Sequence, residues 1–246
     1  MTPEIPRATL LVFTLGADRD AVRRPVLPPR LRDEEVAARR AWLDGVLEAG
    51  RRTHCRLEVS APTNLDLPQD VFRAPQEGGT FGQRLARAIG RAGGHTDGPL
   101  VVVGADSPGF SARHIRQALC LLRADPKRVV LGPAADGGVY LIATARPIPG
   151  LAENVVWCQS HTLRSLKSIL KNQGREVVEL EALADIDDVP AFIRWLRSAE
   201  SAWRGLIGHL RARLAATLRP GRPRRLGSPR DSQASPLLAR GPPAVA

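Results

Sequence analysis

The stretch "PLVVVGADSPGF", residues 99–110, decides the fold. Leu100 to Val103 form an apolar run suited to a buried strand, and the run stops at Asp106, with Ser107 and Pro108 just behind. In open α/β sheets, ligands collect beyond the carboxyl ends of the strands, so an acid here would stand at the binding rim. Mg²⁺ takes oxygen ligands and needs only one or two protein carboxylates, the rest being water and substrate phosphate. A turn or capping acid ahead of the next helix is the alternative reading, with Ser111 able to cap that helix.

The same alternation of strand and helix extends along the chain. "ATLLVFTL" (8–15), "CRLEVSA" (55–61), "DVFRA" (70–74), "KRVVLGPA", "VYLIATA" and "REVVELE" read as further strands, with "CRLEVSA" alternating as if half-buried. After the first strand comes a polar, proline-containing loop. "RDEEVAARRAWLDGVLEAG" follows with Val36, Leu43, Val46 and Leu47 at helical spacing, Asp33 as N-cap and Gly50 as stop. "TFGQRLARAIGRAGG", "SARHIRQALCLLRA", "SHTLRSLKSILKNQG" and residues 189–197 read as the remaining helices of the sheet. The pattern predicts an α/β sheet with helices on both faces, in one domain over residues 1–200. A basic helix over 201–218 and an Arg- and Pro-rich tail over 219–246, too poor in apolar residues to fold, complete the expected organisation.

Composition narrows the class. The 246 residues, 43% of them hydrophobic, suffice for one full core. No apolar run nears the roughly 20 residues needed to span a bilayer, and the N-terminus lacks the pattern of a cleavable signal, so a cytoplasmic protein is expected. The formal charge is +11, but Lys127, Lys167 and Lys171 are the only lysines among 36 basic residues. An arginine excess without a recognition motif does not point to specific nucleic-acid binding, although the tail could associate weakly with anionic surfaces. Cys55, Cys120 and Cys158 lack C-x-x-C spacing, the five histidines form no metal-binding pattern, and "EGGTFG" is not a P-loop.

Two more acidic clusters resemble the first. "LGPAADGGVYLI" runs a strand into Asp136, Gly137 and Gly138; paired glycines permit close approach of backbone to ligand, and Asp-Gly between apolar runs is equally a hairpin signal. In "LADIDDVP", Asp185 and Asp187 flank Ile186, so an extended segment would turn both carboxylates to one side; the other reading is a polar loop before a helix capped by Asp188. Arg84 is either a phosphate contact or a solvated arginine, and Trp157 either core edge or a stacking surface.

Taken in order, "QEGGTFGQRLARAI", "VVVGADSP", "VVLGPAADGGVYLIA", "VVW" and "LADIDDVPAFIRWL" resemble a bacterial family of glycosyltransferase-like proteins, long catalogued as a domain of unknown function. That family has a nucleotide-diphospho-sugar transferase, or GT-A-like, fold and is similar to the guanylyltransferases of phospholactate and molybdenum-cofactor biosynthesis, so the resemblance implies a three-layer α/β/α Rossmann-like arrangement around a mostly parallel mixed sheet. The resemblance covers about residues 8–197. It implies a transferase using a nucleotide-sugar donor, an unspecified acceptor, and Mg²⁺ or Mn²⁺ held by Asp106, Asp185 and Asp187. Asp136 is then the catalytic candidate, with Gly79, Arg84, Gly137 and Gly138 near the substrate. The family's basic loop after the first strand corresponds here to "GADRDAVRRPVLPPRL", where Arg23 and Arg24 carry the charge toward the donor phosphates and the usual lysines and glycine are absent. Thr80, Val139 and Ala191 are further departures. A nucleotidyltransferase of the same fold, or a nucleotide-binding protein without catalysis, are the other functions such a chain could serve.

Overall fold

The computed structural model describes residues 7–62, 65–198, 205 and 208–213. Strand β1 (Thr9–Phe13) lies in the interior of the sheet, with a parallel neighbour on either side. Leu10 and Val12 enter the core on one side of it and Leu11 the core on the other, the period of two that a doubly covered strand requires. After β1 the chain forms α1 (Ala17–Arg23), a single 3₁₀ turn and α2 (Arg32–Arg51), then β2 (Arg56–Ala61) and β3 (Val71–Pro75). Helix α3 (Phe81–Gly94) leads to β4 (Leu100–Val103), α4 (Ala112–Ala124), β5 (Val129–Pro133) and β6 (Val139–Thr144). Helix α5 (Thr162–Asn172), β7 (Val177–Glu179) and α6 (Val189–Ser198) complete the described elements of the sheet domain.

The seven strands form one sheet in the order β3-β2-β1-β4-β6-β5-β7. All neighbouring pairs are parallel except those made by β6, which runs antiparallel to both β4 and β5. The sheet is therefore the mostly parallel mixed sheet that the family resemblance implies. Residues of α2 and α4 cover one face and those of α3 and α5 the other, giving three layers. A third apolar cluster joins Val26, Leu27 and Leu31 to Trp42 of α2, Phe192 and Trp195 of α6, and Ile186. No described helix is long and apolar enough to cross a membrane.

Local differences from the sequence reading have identifiable causes. The loop expected after β1 contains α1, whose polar sequence has no apolar stripe; only Ala17, Asp20 and Ala21 are buried. Asp33 is not the N-cap of α2, because the chain enters from a 3₁₀ turn and Leu31 takes that position. Gly50 does not stop α2 but lies within it, where a Cβ would meet Leu57 Cδ2 at 2.4 Å and Leu10 Cδ2 at 2.7 Å. Glycine there lets helix and sheet approach. Strand β2 is buried on both faces, because Arg91 of α3 bonds to Glu58 Oε1 (3.1 Å) and Ser60 Oγ (3.4 Å), neutralising polar positions that would otherwise face water. Of the expected C-terminal helix, residues 205 and 208–213 are described and helical; the tail over 219–246 lies outside the described residues.

Candidate functional site

Strand direction gathers the site. From β1 the chain builds outward through β2 and β3, then returns to place β4 on the other side of β1, so the switch in strand order falls between β1 and β4. Strands β1, β4, β5 and β7 all run toward one rim, and β6 starts from it. A cleft of about 940 Å³ opens there. This is where an open α/β sheet collects ligands.

Asp106 lies just past β4 and lines the cleft. A Cβ on Gly104 would stand 2.7 Å from Asp106 Oδ1, so the glycine makes room for the carboxylate beside the strand end. Its Oδ2 accepts a hydrogen bond from Arg24 Nη2 at 3.3 Å, while Ser111 takes the N-cap position of α4. The acid that ends the run thus faces the cleft, and the capping role belongs to the serine.

Asp185 and Asp187 also line the cleft, with Ile186 between them fully buried in the third apolar cluster. The alternation is that of an extended segment, anchored on one side by the buried isoleucine. Asp188 accepts the Ala191 N–H at 2.7 Å and caps α6. The capping role thus falls to Asp188, while Asp185 and Asp187 border the cleft. Ser107 donates its hydroxyl to Asp185 Oδ1. Burial raises the Asp185 carboxyl to about 8, helped by the negative charge of Asp106 and opposed by the Ser107 bond. Burial, followed by Asp106, also raises Asp187, with Arg24 opposing.

Asp136 sits in the β5–β6 hairpin turn, where its Oδ1 accepts the Gly138 N–H at 2.8 Å. Asp136 and Gly138 line the cleft; Gly137 is not among the lining residues. Gly137 has φ 92° and a Cβ there would stand 1.9 Å from the Ser160 carbonyl oxygen. Its glycine serves the packing of backbone against backbone. The hairpin and the site are thus one feature: the turn that reverses the chain also carries an acid to the rim.

Arg23, Arg24, Gly79 and Arg84 line the same cleft. Arg84 donates to the Gly79 carbonyl at 2.7 Å, across the first turn of α3, which is capped by Thr80 and Gln83. Trp157 lines the cleft beside Phe81, at 5.4 Å between ring centroids, and donates its indole N–H to the Ala152 carbonyl. Ten candidates from six separate stretches therefore lie at one rim, with Gly137 just behind it.

Three contributors escape a reading of the sequence. Asp20, on the buried side of α1, accepts from Arg24 at 3.1 Å, and burial raises its pKa against the pull of that arginine. Glu35 is buried, accepts the Val26 and Leu27 N–H groups and pairs with Arg39. Arg39 in turn donates to the Arg24 carbonyl at 2.7 Å. A buried ion pair so fixes the segment that carries Arg24. The i, i+4 spacing of Glu35 and Arg39 was the available signal, but it equally fits a solvated helix face.

The oxygen-only donor set of Asp106, Asp185 and Asp187 suits a hard divalent cation. Arg24 serves as a stand-in positive charge, bonding to Asp20, Asp106 and Asp187 through its two Nη atoms. Among the described residues no three acidic, histidine or cysteine side chains are arranged to hold a metal ion as they stand.

The seven-stranded sheet with its reversed β6 has the fold of a nucleotide-diphospho-sugar transferase. The chain belongs to the family described as "Uncharacterized protein conserved in bacteria (DUF2064)", whose profile matches residues 31–159. Among solved structures it is similar to the "putative nucleotide-diphospho-sugar transferase" of Desulfovibrio desulfuricans G20, with 22% identity and TM-score 0.69 over 85% of this chain and 95% of that one. It is also similar to Rv0371c of Mycobacterium tuberculosis H37Rv, with 18% identity and TM-score 0.54 over 79% of this chain and all of that one. A structure of the latter in complex with manganese gives TM-score 0.51 at 18% identity, over 78% of this chain and 100% of that one. No curated protein matches the chain.

Proposed function

We propose that this chain is a divalent-metal-dependent transferase that binds a nucleotide-diphospho-sugar in the rim cleft and passes the sugar to an acceptor. The observation that carries the reading is the convergence of Asp106, Asp136, Asp185 and Asp187 with Arg23 and Arg24 around one cleft at the strand switch. The fold shared with the Desulfovibrio protein supports it, as does the manganese in the Rv0371c complex.

In this reading Asp106, Asp185 and Asp187 hold Mg²⁺ or Mn²⁺ once their carboxylates are free to converge. A bound cation supplies charge stabilisation to the departing diphosphate. Arg23 and Arg24 add positive charge on the α1 side, in the forked form suited to phosphate oxygens. Asp136, which lines the same cleft, orients a sugar hydroxyl or takes the acceptor's proton. Arg84 and Gly79 border the cleft at the start of α3, and Trp157 and Phe81 form an apolar wall there.

Calorimetry with nucleoside diphosphates, triphosphates and nucleotide sugars, in Mn²⁺ or EDTA, tests the reading on the wild type and Asp106→Ala. Metal-dependent binding of a nucleotide sugar, lost in the variant, is expected, with nucleoside diphosphate released on turnover. Pyrophosphate released from a nucleoside triphosphate would instead establish nucleotidyl transfer. No binding to the wild type in Mn²⁺ overturns the reading.

A further inference from the structure

Arg24 stands at the end of α1, its side chain 38% exposed in the cleft. One nitrogen of the guanidinium bonds to Asp187, and the other reaches Asp20 at 3.1 Å and Asp106 at 3.3 Å. Three carboxylates from three distant parts of the chain, α1, the β4 exit and the segment before α6, thus share one cation. Asp106 and Asp187 are two of the three proposed metal ligands.

We propose that Arg24 is a resident counter-ion that a divalent cation must displace, and that the released guanidinium then turns to the phosphates of the incoming ligand. The inference rests on the transferase reading above. It explains why the acids are grouped yet, among the described residues, not arranged to hold a metal ion. Neighbouring carboxylates in a partly buried cleft repel, and a guanidinium among them offsets that repulsion. The same guanidinium stands against a divalent ion, because two cations on shared carboxylate oxygens repel each other and Mg²⁺ demands close, near-octahedral oxygen ligation.

The local architecture permits the exchange. The backbone of Arg24 is held independently of its head group, through its N–H to the Asp20 carbonyl at 2.8 Å and its carbonyl to Arg39 at 2.7 Å. The head group can leave the carboxylates by side-chain rotation while α1 stays in place. A planar fork that spans Asp20, Asp106 and Asp187 is equally suited to two phosphate oxygens. Metal and diphosphate then bind cooperatively: the cation frees the arginine, and the arginine binds the anion.

The test is Mn²⁺ binding followed by calorimetry and by electron paramagnetic resonance, with Mn²⁺ alone and with pyrophosphate. Wild type, Arg24→Gln, Arg24→Lys and a one-charge control, Arg19→Gln on the exposed side of α1, are compared. Removing a competing positive charge at hydrogen-bonding distance should tighten Mn²⁺ binding about tenfold or more in Arg24→Gln. Pyrophosphate should enhance Mn²⁺ affinity in the wild type and much less in this variant, whereas Arg19→Gln should follow the wild type. Thermal melts in EDTA and in Mn²⁺ monitor folding, and Arg24→Gln should be less stable in EDTA and recover in Mn²⁺. Arg24→Lys keeps a charge without the fork and should bind Mn²⁺ with intermediate affinity, which provides the comparison should the glutamine variant fail to fold.

Mn²⁺ affinity of Arg24→Gln or Arg24→Lys equal to or weaker than that of the wild type overturns the displacement while leaving the metal reading in place. Absence of Mn²⁺ binding to every variant, with and without pyrophosphate, overturns the metal reading itself and the displacement with it.

Discussion

The backbone N–H of Ile186 donates to the carbonyl of Asp106 at 3.0 Å. This bond ties the segment carrying Asp185 and Asp187 to the exit of β4. A second tie lies nearby, where Ala134 pairs with Leu183 as the chain passes the end of β5. Tyr140 adds a third by donating its hydroxyl to the Glu181 carbonyl at 3.0 Å, its ring placed against Gly132, where a Cβ would come within 2.4 Å of Cζ. The acids share a rim because hydrogen bonds to the backbone hold remote segments together, whatever the acids themselves bind.

That proximity has a cost which depends on pH. Burial and the Asp106 charge raise the Asp185 carboxyl to about 8 in the folded protein, against an ordinary carboxylate value of about 3.9. The folded state binds a proton more tightly than the unfolded chain. Stability from this group is therefore fully present below the unfolded value and is lost as pH rises toward the folded value, after which the loss is constant. Asp185→Asn, which keeps an acceptor for Ser107, should melt about 3 °C or more above the wild type at pH 8.5 in EDTA. The gap should close toward pH 4.5. A difference that is the same at both pH values would contradict the assignment.

The pair of Glu35 and Arg39 is the opposite case, a buried attraction. Glu35 is 1% and Arg39 4% exposed at the side chain, and Glu35 also accepts two backbone N–H groups of the loop that follows Arg24. Arg39→Met leaves the carboxylate buried without its counter-charge and should cost about 3 kcal/mol in denaturant unfolding. Because Arg39 also holds the Arg24 carbonyl, the same substitution should loosen α1, read as faster amide exchange at Arg24. Unaltered exchange there would mean that α1 is held without Arg39.

How much of this was legible follows from the kind of signal each residue left. Leu100 to Val103 and Leu10 to Val12 announce buried strands because they are short and their neighbours include valines and turn residues, and their order with the helices implies helices on both faces. Asp106 and Asp136 were visible as acids at the ends of such runs, and Asp185 and Asp187 as acids alternating around Ile186. Asp20 was not, since in "GADRDAVRR" it is one charge among several and its burial depends on α1 folding against α2. The partnership of Arg24 with Asp106 and Asp187 spans 82 and 163 positions, and no local pattern encodes it. Burial on both faces of β2 was hidden for the same reason: Glu58 reads as polar until Arg91 arrives from α3.

The thiols give a direct check on the described surface. Cys55 is buried, and burial raises its pKa, with the Thr53 hydroxyl opposing. Cys120 and Cys158 are exposed. At pH 8 iodoacetamide should alkylate Cys120 and Cys158 in the native protein and reach Cys55 only in denaturant, as read by peptide mass spectrometry. Native labelling of Cys55 would show that the end of α2 opens away from β2.

A comparison of Gly137 in the hairpin with Gly174 after α5 supplies the last test, because it separates conformation from contact. Gly137 and Gly174 both have positive φ, 92° and 69°. At Gly174 nothing lies within 4 Å of an added Cβ, so Gly174→Ala should cost only the backbone term of about 1–2 kcal/mol. At Gly137 the added Cβ would stand 1.9 Å from the Ser160 carbonyl oxygen and 2.7 Å from its carbon, both backbone atoms with no rotamer to yield. The turn and the start of α5 must then separate, breaking the bond from the Leu163 N–H to the Gly137 carbonyl at 3.0 Å. Gly137→Ala should therefore destabilise the protein by about 3 kcal/mol or more and, because Asp136 moves with the turn, should weaken ligand binding as well. Equal costs at the two glycines, measured by urea unfolding, would mean that the hairpin does not pack against Ser160.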